Sequence, residues 1–266
     1  VDYPDDISTH VRDPKILEHD GIYYMVLGAR TKDDRGCVLV YTSHDLECWK
    51  YATRIELGEK FGFMWECPDL FELDGELILV CCPQGVPADG WRYQNPHQCV
   101  WFRIEADWEA PSFKIAGQGM PPMVDAGLDF YAPQSFADAD GRRIMIGWAG
   151  CPDATAQNPT VERGWQCALT VPRVLNMRDG KLCQWPAREV EQLRKERVSV
   201  TAGETVGSPG RLFDAVVSCR GTKSIELEVR EGVVVCFANG MLTLDMGDEG
   251  YGRDKRSVEL DELYCL

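Results

Sequence analysis

Glu66-Cys67-Pro68-Asp69-Leu70-Phe71-Glu72-Leu73-Asp74-Gly75-Glu76-Leu77-Ile78-Leu79-Val80 carries the pattern that decides the fold. A proline opens a short apolar run, Asp-Gly turns the chain, and a second apolar run returns. Asp-Gly between apolar alternations is among the strongest short hairpin signals. Pro68 cannot donate a backbone hydrogen bond and biases Cys67 toward extended geometry. Glu66 is therefore expected at the entrance of a strand, near a sheet end or edge, with its side chain facing a pocket. Trp65 and Cys67 give it partly apolar neighbours, a setting that raises a carboxyl's pKa and suits a proton donor. The plainer alternative is a surface glutamate ahead of an ordinary strand.

The same pattern recurs along the chain. Arg12-Asp13-Pro14 opens a strand that turns at Asp20-Gly21, and Tyr131-Ala132-Pro133 opens one that turns at Asp140-Gly141. Thr170-Val171-Pro172 opens a fourth copy, which turns at Asp179-Gly180. The spacing from proline to aspartate is 6, 6, 7 and 7 residues. Further strands are expected between copies, over 38–42 and 99–104. A unit of roughly 40–65 residues with about four antiparallel strands has the size of a propeller blade. The alternative, unrelated hairpins in a sandwich, leaves the shared proline and Asp-Gly positions unexplained. Blades are radial, so equivalent positions converge near the axis. Arg12, Glu66, Tyr131 and Thr170 share one such position, and Asp13 and Glu66 are expected to face one funnel.

After residue 185 the texture changes. Residues 189–197 form a charged connector with helical character. Apolar alternation resumes over 198–201, 225–229, 233–237 and 242–244, as in half-buried antiparallel strands. The expected division is a propeller over 1–188, a linker over 189–197, and a β-sandwich over 198–266 that ends without a clear close at Tyr264-Cys265-Leu266.

Composition bounds the function. The 266 residues have a formal net charge of -15, which disfavours nucleic acid or an acidic membrane surface as partner. A small neutral or locally steered substrate fits better. No apolar run reaches the about 18 residues of a membrane span. The 12 cysteines include no C-x-x-C pair, and His10, His19, His44 and His97 form no cluster, which argues against a zinc site. No cofactor is expected. Cys81, Cys82 and Cys236 lie in apolar runs, where a free thiol behaves as a small hydrophobe. The count alone would also allow a disulfide framework, but reduced thiols and a cytoplasmic setting are the expectation. Val1-Asp2-Tyr3-Pro4 has no signal-peptide pattern and no initiator methionine, so the chain reads as beginning in mid-protein.

These residues resemble glycoside hydrolase family 32, the group of invertases, sucrose-6-phosphate hydrolases and fructanases. Arg12-Asp13-Pro14 is similar to the family's R-D-P motif, and Trp65-Glu66-Cys67-Pro68-Asp69 to its E-C motif. Asp129-Phe130-Tyr131-Ala132-Pro133-Gln134, Ile146-Gly147-Trp148 and Leu169-Thr170-Val171-Pro172-Arg173 match further segments. The resemblance implies an all-β chain, a five-bladed β-propeller followed by a β-sandwich, here with about four blades and a partial sandwich. It implies retaining hydrolysis of a fructosyl sugar, with Glu66 as acid/base and Asp13 stabilising the transition state. Arg12, Trp65, Asp129, Tyr131 and Trp148 are the candidate substrate-binding residues. Each has a plainer alternative. Arg12 could pair with Asp13 or stay solvated, Tyr131 and Trp148 could pack between blades, Asp129 could be a loop residue, and Trp65 could pack beside Glu66. The family's nucleophile lies in an N-D-P-N-G motif that this sequence does not contain. The chain is therefore expected to be a fragment without the first blade, with little activity alone. Two other readings stay open: a non-catalytic carbohydrate-binding propeller, and a five-bladed hydrolase of the arabinan type. Oligomeric state leaves no mark in the sequence.

Overall fold

In the computed structural model, which describes residues 1–207, 212–219, 221–253, 255–261 and 263, the turns follow from residue chemistry. Asp20-Gly21, Asp74-Gly75 and Asp179-Gly180 all adopt positive φ. Each pair alone joins two antiparallel strands, as left-handed two-residue turns do. The turn at Asp140-Gly141 is longer, because Ala137 pairs with Arg143. There the Asp138 carboxylate accepts from the Asp140 and Arg142 amides.

Among the described residues, sixteen strands form four meanders of four. Sheet 1 is β1 (Ile7–His19), β2 (Ile22–Thr31), β3 (Gly36–Ser43) and β4 (Lys50–Ile55). Sheet 2 is β5 (Met64–Leu73), β6 (Glu76–Gln84), β7 (Val100–Asp107) and β8 (Ser112–Ile115). Sheet 3 is β9 (Tyr131–Ala137), β10 (Arg143–Trp148), β11 (Arg173–Arg178) and β12 (Lys181–Pro186). Sheet 4 is β13 (Ser224–Arg230), β14 (Val233–Ala238), β15 (Met241–Asp245) and β16 (Arg256–Glu259). The chain is thus all-β and of propeller type, with sheets 1 to 3 each a four-stranded blade-like unit.

Two expectations are corrected. The copy at Thr170-Val171-Pro172 opens no blade of its own. It leads into β11 and β12, which pair onto β10 as the outer hairpin of sheet 3. Proline is tolerated at the start of an outer strand as well as an inner one, so the motif alone does not rank them. Residues 198–201 form no strand, and Val198 and Val200 are exposed. A 3-10 helix, Arg188–Leu193, leads into and overlaps the charged connector. Residues 264–266 lie outside the described residues.

Burial follows strand alternation. On β6, Leu77 and Leu79 pack toward sheet 1, while Ile78 and Val80 pack toward sheet 3. One apolar cluster joins sheets 1 and 2 through Val26, Val40, Trp65, Leu79 and Phe102. A second joins sheets 2 and 3 through Phe71, Val80, Tyr131, Met145 and Leu175. Sheet 4 has a separate small cluster of Cys219, Phe237 and Leu263.

The three inner strands share one irregularity. In β1, Asp13 and Pro14 together oppose Leu27; in β5, Cys67 and Pro68 oppose Cys81; in β9, Ala132 and Pro133 oppose Gly147. Each is a bulge in which two residues face one. The residue before each proline is left-handed, with φ of 61° at Asp13, 49° at Cys67 and 48° at Ala132. This corrects the extended geometry expected of Cys67. The proline has no N–H to pair, so it occupies the unpaired place, and the left-handed residue returns the strand to register.

Candidate active site

The bulges decide which side chains meet. Glu66 pairs with Cys82 and Asp69 with Val80, so the extra residue brings Glu66 and Asp69 to the same face of β5, toward sheet 3. Arg12 and Lys15 are brought together in the same way on β1, where they face sheet 2. The residue two before each proline is Arg12, Glu66 or Tyr131, and the structure joins all three. Arg12 Nε donates to Glu66 Oε1 at 2.7 Å, and Tyr131 Oη donates to Glu66 Oε2 at 2.6 Å. Thr170, the fourth copy's equivalent, is not among them; its hydroxyl accepts from the Gly147 amide at 3.0 Å.

The Glu66 carboxylate is therefore held by two donors of different kinds. Its side chain is 16% exposed and that of Arg12 is 34% exposed, so the cation has room to move. Tyr131 is buried, and burial pushes the pKa of its hydroxyl far above the ordinary phenol range. That hydroxyl stays a donor at every working pH. Such a carboxylate can exchange a proton at Oε1 while Tyr131 fixes Oε2.

Asp13 stands in the bulge of β1 itself. Its Oδ2 accepts from the Cys67 amide at 3.0 Å and from the Cys67 thiol at 3.5 Å. The Gln134 side-chain Nε2 donates to the Cys67 carbonyl at 3.3 Å, which ties β9 to the same bulge. Contact with Cys82 and burial push the Cys67 thiol well up, so it is a structural donor rather than a nucleophile.

Other candidates are placed differently. Trp65 is fully buried. Its indole stacks on Phe102 at 5.2 Å between ring centres and donates to the Phe61 carbonyl at 2.7 Å. It therefore shapes the joint between sheets 1 and 2 and offers no face to a ligand, which corrects its place among substrate-binding residues and beside Glu66. Successive strand residues point to opposite faces, and that is the physical reason. Asp129 is held by Arg253, whose Nε donates to Oδ2 at 2.6 Å. It serves as an anchor for the segment before β16 rather than as an open carboxylate. Trp148 pairs with Tyr131 across the sheet and meets it edge-on at 6.5 Å.

Some residues at the site escaped the sequence reading. Lys15, Asp69 and Ser135 form a second polar layer beside the first. Their signal was positional, one or two residues after each repeated proline. His97 is buried beside Tyr131, with its Nδ1 accepting from the Gly85 amide at 3.2 Å. That leaves Nε2 as the donor to Asp153 at 2.8 Å, which fastens the loop following β10. Among the described residues, no group of three or more His, Cys, Asp or Glu side chains could hold a metal ion.

Comparison with known proteins shows the family and the fold. Residues 1–186 match the family model described as glycosyl hydrolases family 32 N-terminal domain. A sucrose-6-phosphate hydrolase of Salmonella typhimurium is 36% identical over 98% of this chain and 54% of its own length. The chain spans about half the length of the curated relatives it matches. A solved sucrose-6-phosphate hydrolase from Lactobacillus gasseri superposes with a TM-score of 0.79 at 26% identity, covering 100% of this chain and 57% of that one. A variant of a Bombyx mori family 32 β-fructofuranosidase, solved in complex with sucrose, superposes with a TM-score of 0.68 at 26% identity, covering 99% of this chain and 64% of that one.

Proposed function

The chain belongs to glycosyl hydrolase family 32, and from that premise we propose that it forms part of a retaining β-fructofuranosidase-type hydrolase. Its substrate is sucrose 6-phosphate, sucrose or a short fructan. The observation that carries this reading is the meeting of Arg12, Glu66 and Tyr131 from three separate sheets on one carboxylate. Glu66 protonates the departing glycosidic oxygen and later takes a proton from the incoming water. Arg12 swings from Oε1 toward a sugar oxygen when substrate enters, which frees that oxygen to carry the proton. Tyr131 keeps the carboxyl aimed throughout. Asp13, positioned by the Cys67 amide, accepts from sugar hydroxyls as oxocarbenium character grows. A retaining mechanism needs a second carboxylate about 5–5.5 Å from the first. We assign that nucleophile to sequence outside these 266 residues, since they contain no N-D-P-N-G. The chain alone is then inactive.

We further assign residues 1–188 to the catalytic propeller, 189–197 to a linker and 198–266 to a second domain. The 3-10 helix at Arg188–Leu193 and the separate cluster of sheet 4 support this division. Free thiols at all described cysteines support a reducing, cytoplasmic setting.

One observation favours a second reading, a non-catalytic carbohydrate-binding propeller. A guanidinium on Glu66 suits a fixed anion as well as a proton donor. The deciding experiment is fructose release from sucrose and sucrose 6-phosphate, using this chain and a form extended to the length of its relatives. Activity only in the extended form, lowered roughly 10²–10⁴-fold by Glu66→Gln, is expected. Sugar binding that survives Glu66→Gln with no hydrolysis in either form would establish the binding module instead.

A further inference from the structure

Next to the Arg12–Glu66–Tyr131 layer lies a second contact among the same three strands. The Asp69 carboxylate is fully buried. Its Oδ2 accepts from the Ser135 amide of β9 at 2.6 Å. Its Oδ1 has no hydrogen bond among the described residues and is answered by the Lys15 ammonium of β1 at 3.5 Å. Lys15 Nζ in turn donates to the Ser135 carbonyl at 2.7 Å. One carboxylate, one ammonium and one peptide unit thus close a three-cornered network across sheets 1, 2 and 3. Arg143 is the other cation that faces Asp69, and it is spread over the Phe71 ring at 4.8 Å.

Packing alone explains none of this. The two apolar clusters already join these sheets. Burying a charge is costly, and an apolar side chain of similar size would often be as stable or more so. What the network adds is registry. Glu66 and Asp69 are separated only by the bulge at Cys67-Pro68, and Arg12 and Lys15 only by the bulge at Asp13-Pro14. The Asp69–Ser135 bond therefore fixes the height of β5 against β9, on which the Glu66–Tyr131 bond depends. The Lys15 contacts fix β1 against both, on which the Arg12–Glu66 bond depends.

We propose that Lys15 and Asp69 are positioning residues that hold Glu66 in reach of both Arg12 and Tyr131. This rests on the reading of Glu66 as acid/base. Neither residue touches substrate; both act through the bulges.

The test uses Asp69→Asn, Lys15→Met and the double variant Lys15→Met/Asp69→Leu, in the shortest form of the protein that hydrolyses a fructosyl sugar. Both single variants are expected to lower kcat roughly 10- to 100-fold with KM changed little, the signature of a misplaced catalytic group. The double variant removes both members of the pair and leaves Arg143 on the Phe71 ring, so its Tm should rise above that of either single variant while kcat stays low. Recovery of kcat together with Tm in the double variant would show a purely structural pair and overturn the proposal. Crystal structures of Asp69→Asn give an answer independent of activity. Glu66 is expected to lose its bond to Tyr131, Arg12 or both; retention of both within 3.2 Å or so overturns the proposal. Should no form hydrolyse a fructosyl sugar, the proposed function falls, and these structures still decide the positioning claim.

Discussion

Sheets 1 and 2 meet through Trp65 stacked on Phe102, with Val26, Val40 and Leu79 packed around them. Sheet 4 meets the rest of the chain through a different chemistry. Arg253 donates to Asp129, Asn158 and the Gln157 carbonyl, Arg256 to Asn95, Gln94 to the Ser257 carbonyl, and Trp91 to Glu259. Four-stranded meanders of one design are thus joined in two ways, by buried apolar area in one region and by polar contacts at the loops in the other. Apolar burial is non-directional and strong, at about 25 cal/mol per Å². Polar contacts near water are directional and weak. The site is built where the joint is apolar, so its parts cannot shift independently; sheet 4 can loosen without disturbing them.

Trp65→Ala should cost about 3–5 kcal/mol in chemical denaturation of residues 1–186, since it empties the joint between two sheets. A cost near that of a surface change would show that apolar area is not what joins them. Gly36 lies against the same ring, because a Cβ there would overlap the Trp65 indole. Gly36→Ala should destabilise by about 1–3 kcal/mol through overpacking. Tyr131→Phe removes one donor to a carboxylate within the same region, at about 1.5–3 kcal/mol. Its diagnostic is a fall in kcat of the active form beyond the loss of folded protein. At sheet 4, Arg253→Ala should cost about 1–3 kcal/mol, because the part-buried Asp129 carboxylate loses its charged partner. Hydrogen exchange should quicken in 149–158 while the amides of sheets 1 to 3 keep their protection. The smallest expected effect is local and pH-dependent. Amides of Cys48 and Glu47 hold the Asp45 carboxyl down at about 2. Its folded value lies below the ordinary 3.8, so this support is present above about pH 4 and fades as pH falls toward 2. Exchange at the amides of residues 47 and 48 should rise over that window, with no global unfolding attached to it.

Much of this was legible in the sequence, for physical reasons that differ from residue to residue. Asp-Gly dictates a turn through backbone conformation alone, so three hairpins fell where expected and the fourth differed only in turn length. The three prolines that open inner strands marked positions that converge. Pro172 misled because a proline is equally welcome where an outer strand begins. Trp65 was placed beside Glu66 by proximity in sequence, although strand alternation sends neighbours to opposite faces. Cys67 was expected to be extended because local sterics before proline favour that, and the sheet's register overruled them. Lys15 and Asp69 went unremarked because the face they share with Arg12 and Glu66 depends on a bulge that only the pairing reveals. For Asp129 the sequence leaves a substrate-binding and a loop role both open, because nothing local announces Arg253, 124 residues away.

The bulges of β1, β5 and β9 have a consequence for how such a protein can change over time. The same backbone course is followed with Asp13, Cys67 or Ala132 in the left-handed place, and with Arg12, Glu66 or Tyr131 displayed beside it. Folding constrains the proline and leaves the displayed residue nearly free. A single codon can therefore replace a cation by an acid or a phenol at the centre without a new solution to the folding problem. Inheritance of shape and invention of chemistry run on separate positions of the same short motif, and a lineage carrying it can explore one while conserving the other.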